Sequence, residues 1–382
     1  MLDSAFLQAC EAAAIAWDVP ALATGVSVGG NDETAAVGCD ATARFHVASI
    51  TKPFTASLAV DLLELESSTG LWPADVRVRH LLSHTSGYDC ELANVSQTLF
   101  ETEADPLEAQ LDALRHVRRW LPVEQCWSYA NTGYWLAGSL AARAANSSYE
   151  EALQTHVLAP AGLEATSFEA PDLPGTGPDA ATAPYPRARR PSGGLISNVP
   201  DLLRFGRRLL PERRLQIPLG KPPGGVYGLG LWGERVGGVE VWGHSGSWGG
   251  YQSSLLLVPD RDAVFVGLTN ARRGGNALFE LEEIFFSRLL GAGRRVAETV
   301  ELPDSALEGF AGSYSNGDGW YDVSYAIGGL AVHYDDGEFL ARPIGERTFE
   351  IFEGDRIRER FDFPLEGFGR FGSRLAQRVA EP

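Results

Sequence analysis

Lysine is almost absent from this chain: of 382 residues only Lys52 and Lys221 are lysine, and arginine supplies nearly all the positive charge. The formal net charge is −18, which argues against a nucleic-acid or anionic-membrane partner, since either would call for a basic face. Long apolar runs are missing too. Residues 254–259 and 262–268, the most apolar stretches, are strand-sized and far short of the roughly 18 residues of a transmembrane helix. The first residues, Met1-Leu2-Asp3, carry no basic side chain, and Glu11 interrupts the alanine-rich run behind them. No secretory signal is therefore expected, and the chain reads as cytoplasmic. Cysteine is scarce: Cys10, Cys39, Cys90 and Cys126 lie far apart without a CxxC pair. That removes metal-ligand spacing, so the four read as ordinary buried thiols and no metal or cofactor is expected.

What is present is the composition of a globular protein, 44% apolar and 21% charged, on a chain long enough for two domains. Phe6, Leu7, Cys10, Ala14 and Trp17 fall at helical spacing and predict a helix over 3–17. A hairpin follows, with strands 22–28 and 34–37 around the turn 29–32. A helix runs on from Pro53 through Leu58, Leu62 and Leu65. Helical periodicity returns at 131–145, 149–158 and 200–210, the last capped by Ser197 or Asn198. Residues 171–194, rich in Pro, Gly and Ala, read as a long surface loop. Strands are expected at 226–232, 239–243, 252–258 and 263–268, then a helix over 276–290. Strands at both ends with helices between them imply an α/β layered domain: one sheet flanked by helices, with a mostly helical insertion.

From Leu307 the pattern changes to short alternating runs at 312–315, 320–325, 330–334, 339–344, 349–352 and 356–363, separated by turns such as Asp335-Asp336-Gly337. They predict a small all-β barrel or sandwich. The expected division is therefore 1–300 and 301–382.

Three short motifs carry chemistry. In Ser49-Ile50-Thr51-Lys52 the i, i+3 spacing on one helical turn puts the Ser hydroxyl and the Lys amine on the same face. The helix N-terminus favours negative charge developing at Ser49, and a serine needs such a positioned base to become a nucleophile. That one of two lysines in the protein sits here strengthens the reading. In Tyr129-Ala130-Asn131 a turn would point both polar side chains into one cleft, Tyr129 as base or proton relay and Asn131 on a substrate amide. In His244-Ser245-Gly246, after a strand expected to end at Trp242, the glycine permits close approach of backbone to substrate. The amides of Ser49 and Ser247 would then form an oxyanion hole.

SxxK, YxN and HxG in this order resemble the serine β-lactamase and penicillin-binding-protein superfamily, which includes class C β-lactamases, DD-peptidases, D-aminopeptidases and esterases. Phe45-His46-Val47-Ala48, Leu81-Leu82-Ser83-His84-Thr85-Ser86-Gly87, Ser192-Gly193-Gly194-Leu195 with Asp201-Leu202, and Tyr227-Gly228-Leu229-Gly230 extend the resemblance over residues 5–292. It implies acylation of Ser49, proton handling by Lys52 and Tyr129, and substrate orientation by Asn131, His244, Gly246 and Ser247. The region after 305, opening Phe310-Ala311-Gly312-Ser313-Tyr314, resembles the lipocalin-like C-terminal barrel of some of these enzymes.

Other motifs point elsewhere and are set aside. GxSxG at 25–29 lies in a hairpin strand, not at a strand-to-helix elbow. GxGxxG at 228–233 has no following helix. His80 and His84, at i, i+4, have no third ligand and read as a structural turn. The expected substrate is a small molecule or short peptide: an ester or an amide beside a D-amino acid. A β-lactam or cell-wall peptide, or a non-catalytic penicillin-binding or sensor role, remain alternatives. A homo-oligomer is left open.

Overall fold

The structure, a computed structural model, describes residues 2–70, 75–88, 120–178, 180–181, 184–316, 319–334, 337–353 and 356–379. Helix α1 (Ser4–Ala16) starts at Asp3, whose carboxylate accepts the Phe6 N–H at 2.9 Å, filling one of the open donors of a helix end. Phe6, Cys10, Ala13 and Ala14 form its buried stripe, whereas Leu7, expected in that stripe, is 44% exposed. It sits about 100° around the helix from Phe6, outside the apolar arc. Strands β1 (Leu22–Val28) and β2 (Asn31–Val37) pair as a hairpin whose turn is only Gly29-Gly30. Asn31 and Asp32, expected in the turn, are strand residues.

The chain then runs through β3 (Phe45–His46), α2 (Thr51–Leu62), α3 (Val78–Leu82), α4 (Asn131–Ala145) and α5 (Tyr149–Leu153). Leu65 falls beyond the end of α2. Next come α6 (Arg190–Gly193), β4 (Ile196–Ser197) and α7 (Val199–Leu209); Asn198 caps α7 by accepting the Asp201 N–H. Strands β5 (Val226–Tyr227), β6 (Trp232–Val236), β7 (Val239–Trp248), β8 (Tyr251–Val258) and β9 (Ala263–Thr269) follow, then α8 (Gly274–Leu290) and α9 (Asp304–Glu308).

One seven-stranded sheet has the order β2-β1-β9-β8-β7-β6-β5, and its neighbouring strands pair antiparallel. Alternation along β1 and β9 sorts the side chains to two faces. Leu22, Val26, Ala263 and Phe265 pack with Phe6 of α1 and Leu281, Phe285 and Phe286 of α8. Ala23, Val264, Val266 and Leu268 pack with Val199, Leu202 and Leu203 of α7 and with the helical insertion.

Three expectations change. Residues 226–232 are not one strand: the Gly228 N–H bonds to the Leu231 carbonyl at 2.8 Å and folds the chain between β5 and β6. Strand β7 does not end at Trp242 but runs to Trp248, because its ladder with β8 continues through Trp248↔Tyr251. His244 and Gly246 therefore lie within a strand, not beyond one. The far end of the 171–194 segment is not surface loop, since Pro191, Ser192 and Gly193 are buried. Their carbonyls are needed inside: that of Pro191 accepts from Thr55 Oγ1 and that of Ser192 from Lys52 Nζ, each at 2.6 Å.

The C-terminal strands are β10 (Gly312–Ser315), β11 (Trp320–Ala326), β12 (Gly329–Tyr334), β13 (Gly337–Pro343), β14 (Thr348–Glu353), β15 (Arg356–Leu365), β16 (Phe368–Phe371) and β17 (Arg374–Val379). They close into a barrel through the β10–β17 pair, the form expected of a lipocalin-like unit. The last two strands escape the alternation pattern because arginines interrupt them. Tyr314, Phe349, Phe361, Phe363 and Phe371 pack together as the barrel's core. The expected turn residues Asp335 and Asp336 lie outside the described residues, as does Cys90. Cys10 and Cys126 are buried free thiols and Cys39 is a half-buried one. Burial pushes Cys10 up to about 12 and Cys39 to about 11. Among the described residues no helix is long and apolar enough to cross a membrane.

Candidate active site

Ser49 sits in a short 3-10 turn (Ala48–Ile50) between β3 and α2. Ala48 adopts φ +45°, a left-handed conformation that disfavours a side chain. It is held there on all sides. Its N–H donates to His46 Nδ1 at 3.1 Å, the Val47 N–H donates to the Leu195 carbonyl at 3.0 Å, and Ser253 Oγ donates to the Val47 carbonyl at 2.8 Å. The turn is thus over-determined by partners from β4's approach and β8, the setting in which strained backbone persists.

Lys52, the second residue of α2 and one helical turn on from Ser49, is fully buried. Its Nζ donates to Ser49 Oγ at 3.0 Å and to the Ser192 carbonyl at 2.6 Å. The Tyr129 hydroxyl donates to the same Ser49 Oγ at 2.9 Å, and Lys52 Nζ lies 4.8 Å from the Tyr129 ring centroid. The three residues named from separate motifs meet on one oxygen. Asn131, two residues on, opens α4 and is half-buried.

Gly246 backs onto this turn from β7. A Cβ there would lie 2.3 Å from the Val47 carbonyl oxygen and 2.9 Å from the Ser49 nitrogen. Only glycine lets the strand approach the Ser49 backbone so closely. Ser247 is exposed and its Oγ accepts from Gln252 Nε2 at 2.8 Å.

His244 departs from the expected substrate contact. Its Nδ1 lies 2.6 Å from the Ser245 carbonyl, which can only accept, so Nδ1 carries the proton. Nε2 is then the acceptor for the Tyr227 hydroxyl at 3.0 Å. Both ring nitrogens are committed within the protein. Burial, with the nearby Lys52 charge, brings His244 down to about 3, and the ring is neutral. Contact with a substrate would require breaking one of these bonds.

His84, read above as part of a structural turn, does lie in one, and that turn sits beside Tyr129. His84 has φ +58° and is 1% exposed. Its Nδ1 accepts the Ala130 N–H at 3.0 Å, its carbonyl accepts the Ser128 N–H at 3.0 Å, and its ring lies 4.4 Å from that of Tyr129. It therefore grips the chain on both sides of Tyr129. Burial first, then the charge of Lys52, holds it well below the ordinary histidine range. The sequence signal for it is the Leu81–Gly87 stretch. His80 is separate: Nδ1 accepts the Arg77 N–H at 3.0 Å and Nε2 lies 3.5 Å from Glu124. Among the described residues no group of His, Cys, Asp and Glu is arranged to hold a metal. Ser27 of the GxSxG decoy is buried within β1.

A helix-flanked antiparallel sheet with a serine, a buried lysine and a tyrosine joined beside it defines a hydrolase of the serine type. The chain belongs to the beta-lactamase family, whose model matches residues 11–285. It is 28% identical over 320 residues to "Penicillin-binding protein 4" of Amycolatopsis lactamdurans, covering 68% of this chain and 80% of that protein. Its fold is similar to the crystal structure of SurE with D-Leu (TM-score 0.77, 23% identity, 98% of this chain and 99% of that one). It is also similar to a D-stereospecific amidohydrolase from Streptomyces sp. (TM-score 0.61, 23% identity, 75% of this chain and 99% of that one).

Proposed function

We propose that this protein is an acyl-enzyme hydrolase with Ser49 as nucleophile, cleaving small esters or amide bonds beside D-amino acids. The observation that carries the reading is the convergence of Lys52 Nζ and the Tyr129 hydroxyl on Ser49 Oγ, at 3.0 and 2.9 Å. Within that reach, a Lys52 amine or a Tyr129 phenolate takes the Ser49 proton as Oγ attacks the carbonyl carbon. The ammonium form of Lys52, 4.8 Å from the Tyr129 ring, attracts a phenolate in a site where little water screens it.

The amides of Ser49 and Ser247 receive the developing oxyanion. Collapse of the tetrahedral species breaks the bond to the leaving alcohol or amine, which carries off the proton now held by Tyr129 or Lys52. Water, deprotonated by the same pair, then hydrolyses the acyl ester and returns a proton to Ser49. Asn131 and Gly246 orient the substrate in this scheme, and His244 acts through Tyr227 and the β7 backbone. We assign residues 1–300 to the catalytic unit and 301–382 to the barrel.

The D-amino acid preference is supported by the names of two fold neighbours, SurE with D-Leu and the D-stereospecific amidohydrolase. The penicillin-binding relative favours a second reading, in which the carbonyl attacked is that of a β-lactam. Intact mass spectrometry after incubation with a fluorescent penicillin, beside turnover of a p-nitrophenyl ester and a D-alanyl amide, tests both. A covalent adduct and turnover that vanish in a folded Ser49→Ala variant are expected. Turnover retained in Ser49→Ala would sink the mechanism. A penicillin adduct released faster than the ester or amide is turned over would select the second reading.

A further inference from the structure

The barrel's last hairpin reaches the backbone of the residue that touches Ser49. Strands β16 and β17 join through Gly372-Ser373, with Phe371 paired to Arg374. Gly372 has φ +57°, as the first position of such a two-residue turn requires. The Ser373 carbonyl at the tip accepts the Tyr129 N–H at 2.8 Å. Two residues further on, in β17, the Leu375 N–H donates to Ser128 Oγ at 3.1 Å. Arg370 completes the contact. It is 4% exposed, its Nε and Nη2 fork onto Asp362 at 2.8 and 2.5 Å, and its Nη1 donates to the Trp127 carbonyl at 2.9 Å. Leu121, Cys126 and Leu375 close an apolar seam beside these bonds, with Phe368 packed against it.

We propose that the barrel is a positioning element of the active site, in which Arg370 and the Gly372-Ser373 turn hold residues 127–129 so that the Tyr129 hydroxyl stays on Ser49 Oγ. The proposal rests on the reading of Ser49 and Tyr129 given above. His84, in the turn after α3, supports Tyr129 from within the helical insertion; the barrel supports it from outside that unit. A tyrosine side chain has two free torsions, and here the ring is already fixed between His84 at 4.4 Å and Lys52 at 4.8 Å. The place of its hydroxyl is then decided by the backbone that bears it. Three successive residues there are bonded to the barrel, Trp127 and Tyr129 through their backbone and Ser128 through its hydroxyl. Asp362 fixes two of the three donor nitrogens of Arg370, so the remaining one is aimed at the Trp127 carbonyl without rotamer freedom. Arg370 is a positioning residue, since it touches no reacting atom.

The test uses the full-length chain with Arg370→Ala, Arg370→Lys, the milder Ser128→Ala, and Val332→Ala, which loosens the barrel's interior away from the contact. One structural and three kinetic quantities are read: hydrogen exchange at the Tyr129 amide, and kcat, KM and the pH–rate profile on a p-nitrophenyl ester. In Arg370→Ala, exchange at Tyr129 rises, kcat falls about 10- to 100-fold with KM nearly unchanged, and the profile shifts, as displacing a proton-transfer group by about 1 Å implies. Arg370→Lys keeps the charge but not the fork and follows Arg370→Ala. Ser128→Ala shows the same changes to a smaller degree, and serves alone if Arg370→Ala fails to fold. Val332→Ala lowers thermal stability and leaves the three kinetic readings in place.

Faster exchange without a kinetic change, or no change in exchange, overturns the proposal. So does an equal loss of kcat in Val332→Ala, which would make the barrel a stabiliser only. Turnover persisting in Ser49→Ala overturns the underlying reading instead, and the exchange arm still decides whether the barrel holds Tyr129.

Discussion

Replacing Gly246 with alanine tests the closest backbone approach in the site. The added Cβ would stand 2.3 Å from the Val47 oxygen, 2.5 Å from Ser253 Oγ and 2.9 Å from the Ser49 nitrogen. Ordinary contact begins near 3.4 Å, so β7 and the nucleophile turn must part by about 1 Å. Ser253 can rotate away, at the cost of its bond to the Val47 carbonyl. The Val47 carbonyl cannot move without dragging Ala48 and Ser49. Overpacking of this kind costs about 1–3 kcal/mol of stability. In the proposed mechanism, a displacement of about 1 Å between Ser49 Oγ and the oxyanion donors costs roughly 100-fold in rate, equivalent to about 2.7 kcal/mol of barrier. Stopped-flow acylation by a p-nitrophenyl ester, with urea unfolding in parallel, measures both. Gly267→Ala is the companion: its Cβ would press on the Leu278 side chain at 2.5 Å, away from the turn, and should weaken the fold while sparing acylation. Wild-type acylation in Gly246→Ala, or an equal loss in Gly267→Ala, would refute the reasoning.

Acid should unfold the protein through its buried histidines. His46 and His244 are held to about 3, and His84 well below its ordinary value, mainly by burial. The unfolded chain therefore binds protons that the folded one refuses. Stability is full above about pH 7 and falls as pH drops from 6.5 toward 3, by about 1.4 kcal/mol per unit for each histidine. Between pH 7.5 and 5, His46 and His244 together should remove about 4 kcal/mol; urea midpoints that stay level across that range would contradict this. His84→Ala should cost about 2–4 kcal/mol, from the orphaned Ala130 N–H and the φ +58° backbone, and lower kcat as well. His84→Asn tolerates that φ and should recover part of the stability but less of the rate, read by thermal melting and steady-state kinetics; equal recovery of both would deny the ring a role beside Tyr129.

Local chemistry was what the sequence made legible. Ser49 and Lys52 share a helical turn, so their meeting follows from spacing alone, and period-2 alternation located most of both β units. Contacts made by chain-distant backbone were not legible. Nothing near His84 in sequence says that Ala130 will donate to it, and nothing near Arg370 says that Trp127 will accept from it. The role expected of His244 changed for a similar reason: Tyr227, seventeen residues away, occupies its second nitrogen. Strand ends were misread where glycines lie inside strands, as at Gly243 and Gly246, since glycine signals a break whether or not the ladder continues. Pro191 and Ser192 looked like loop by composition, yet their carbonyls serve Thr55 and Lys52.

The wiring of the nucleophile turn also orders events during synthesis. Residues 46–52 leave the ribosome early, but the Val47 N–H waits for Leu195, the Val47 carbonyl for Ser253, and the Tyr129 N–H for Ser373. Strand β1 likewise waits for β9, its partner on the inner side of the sheet. A nascent chain therefore carries Ser49 long before it can hold that residue in place, and premature termination yields a product in which the contacts around Ser49 are not assembled.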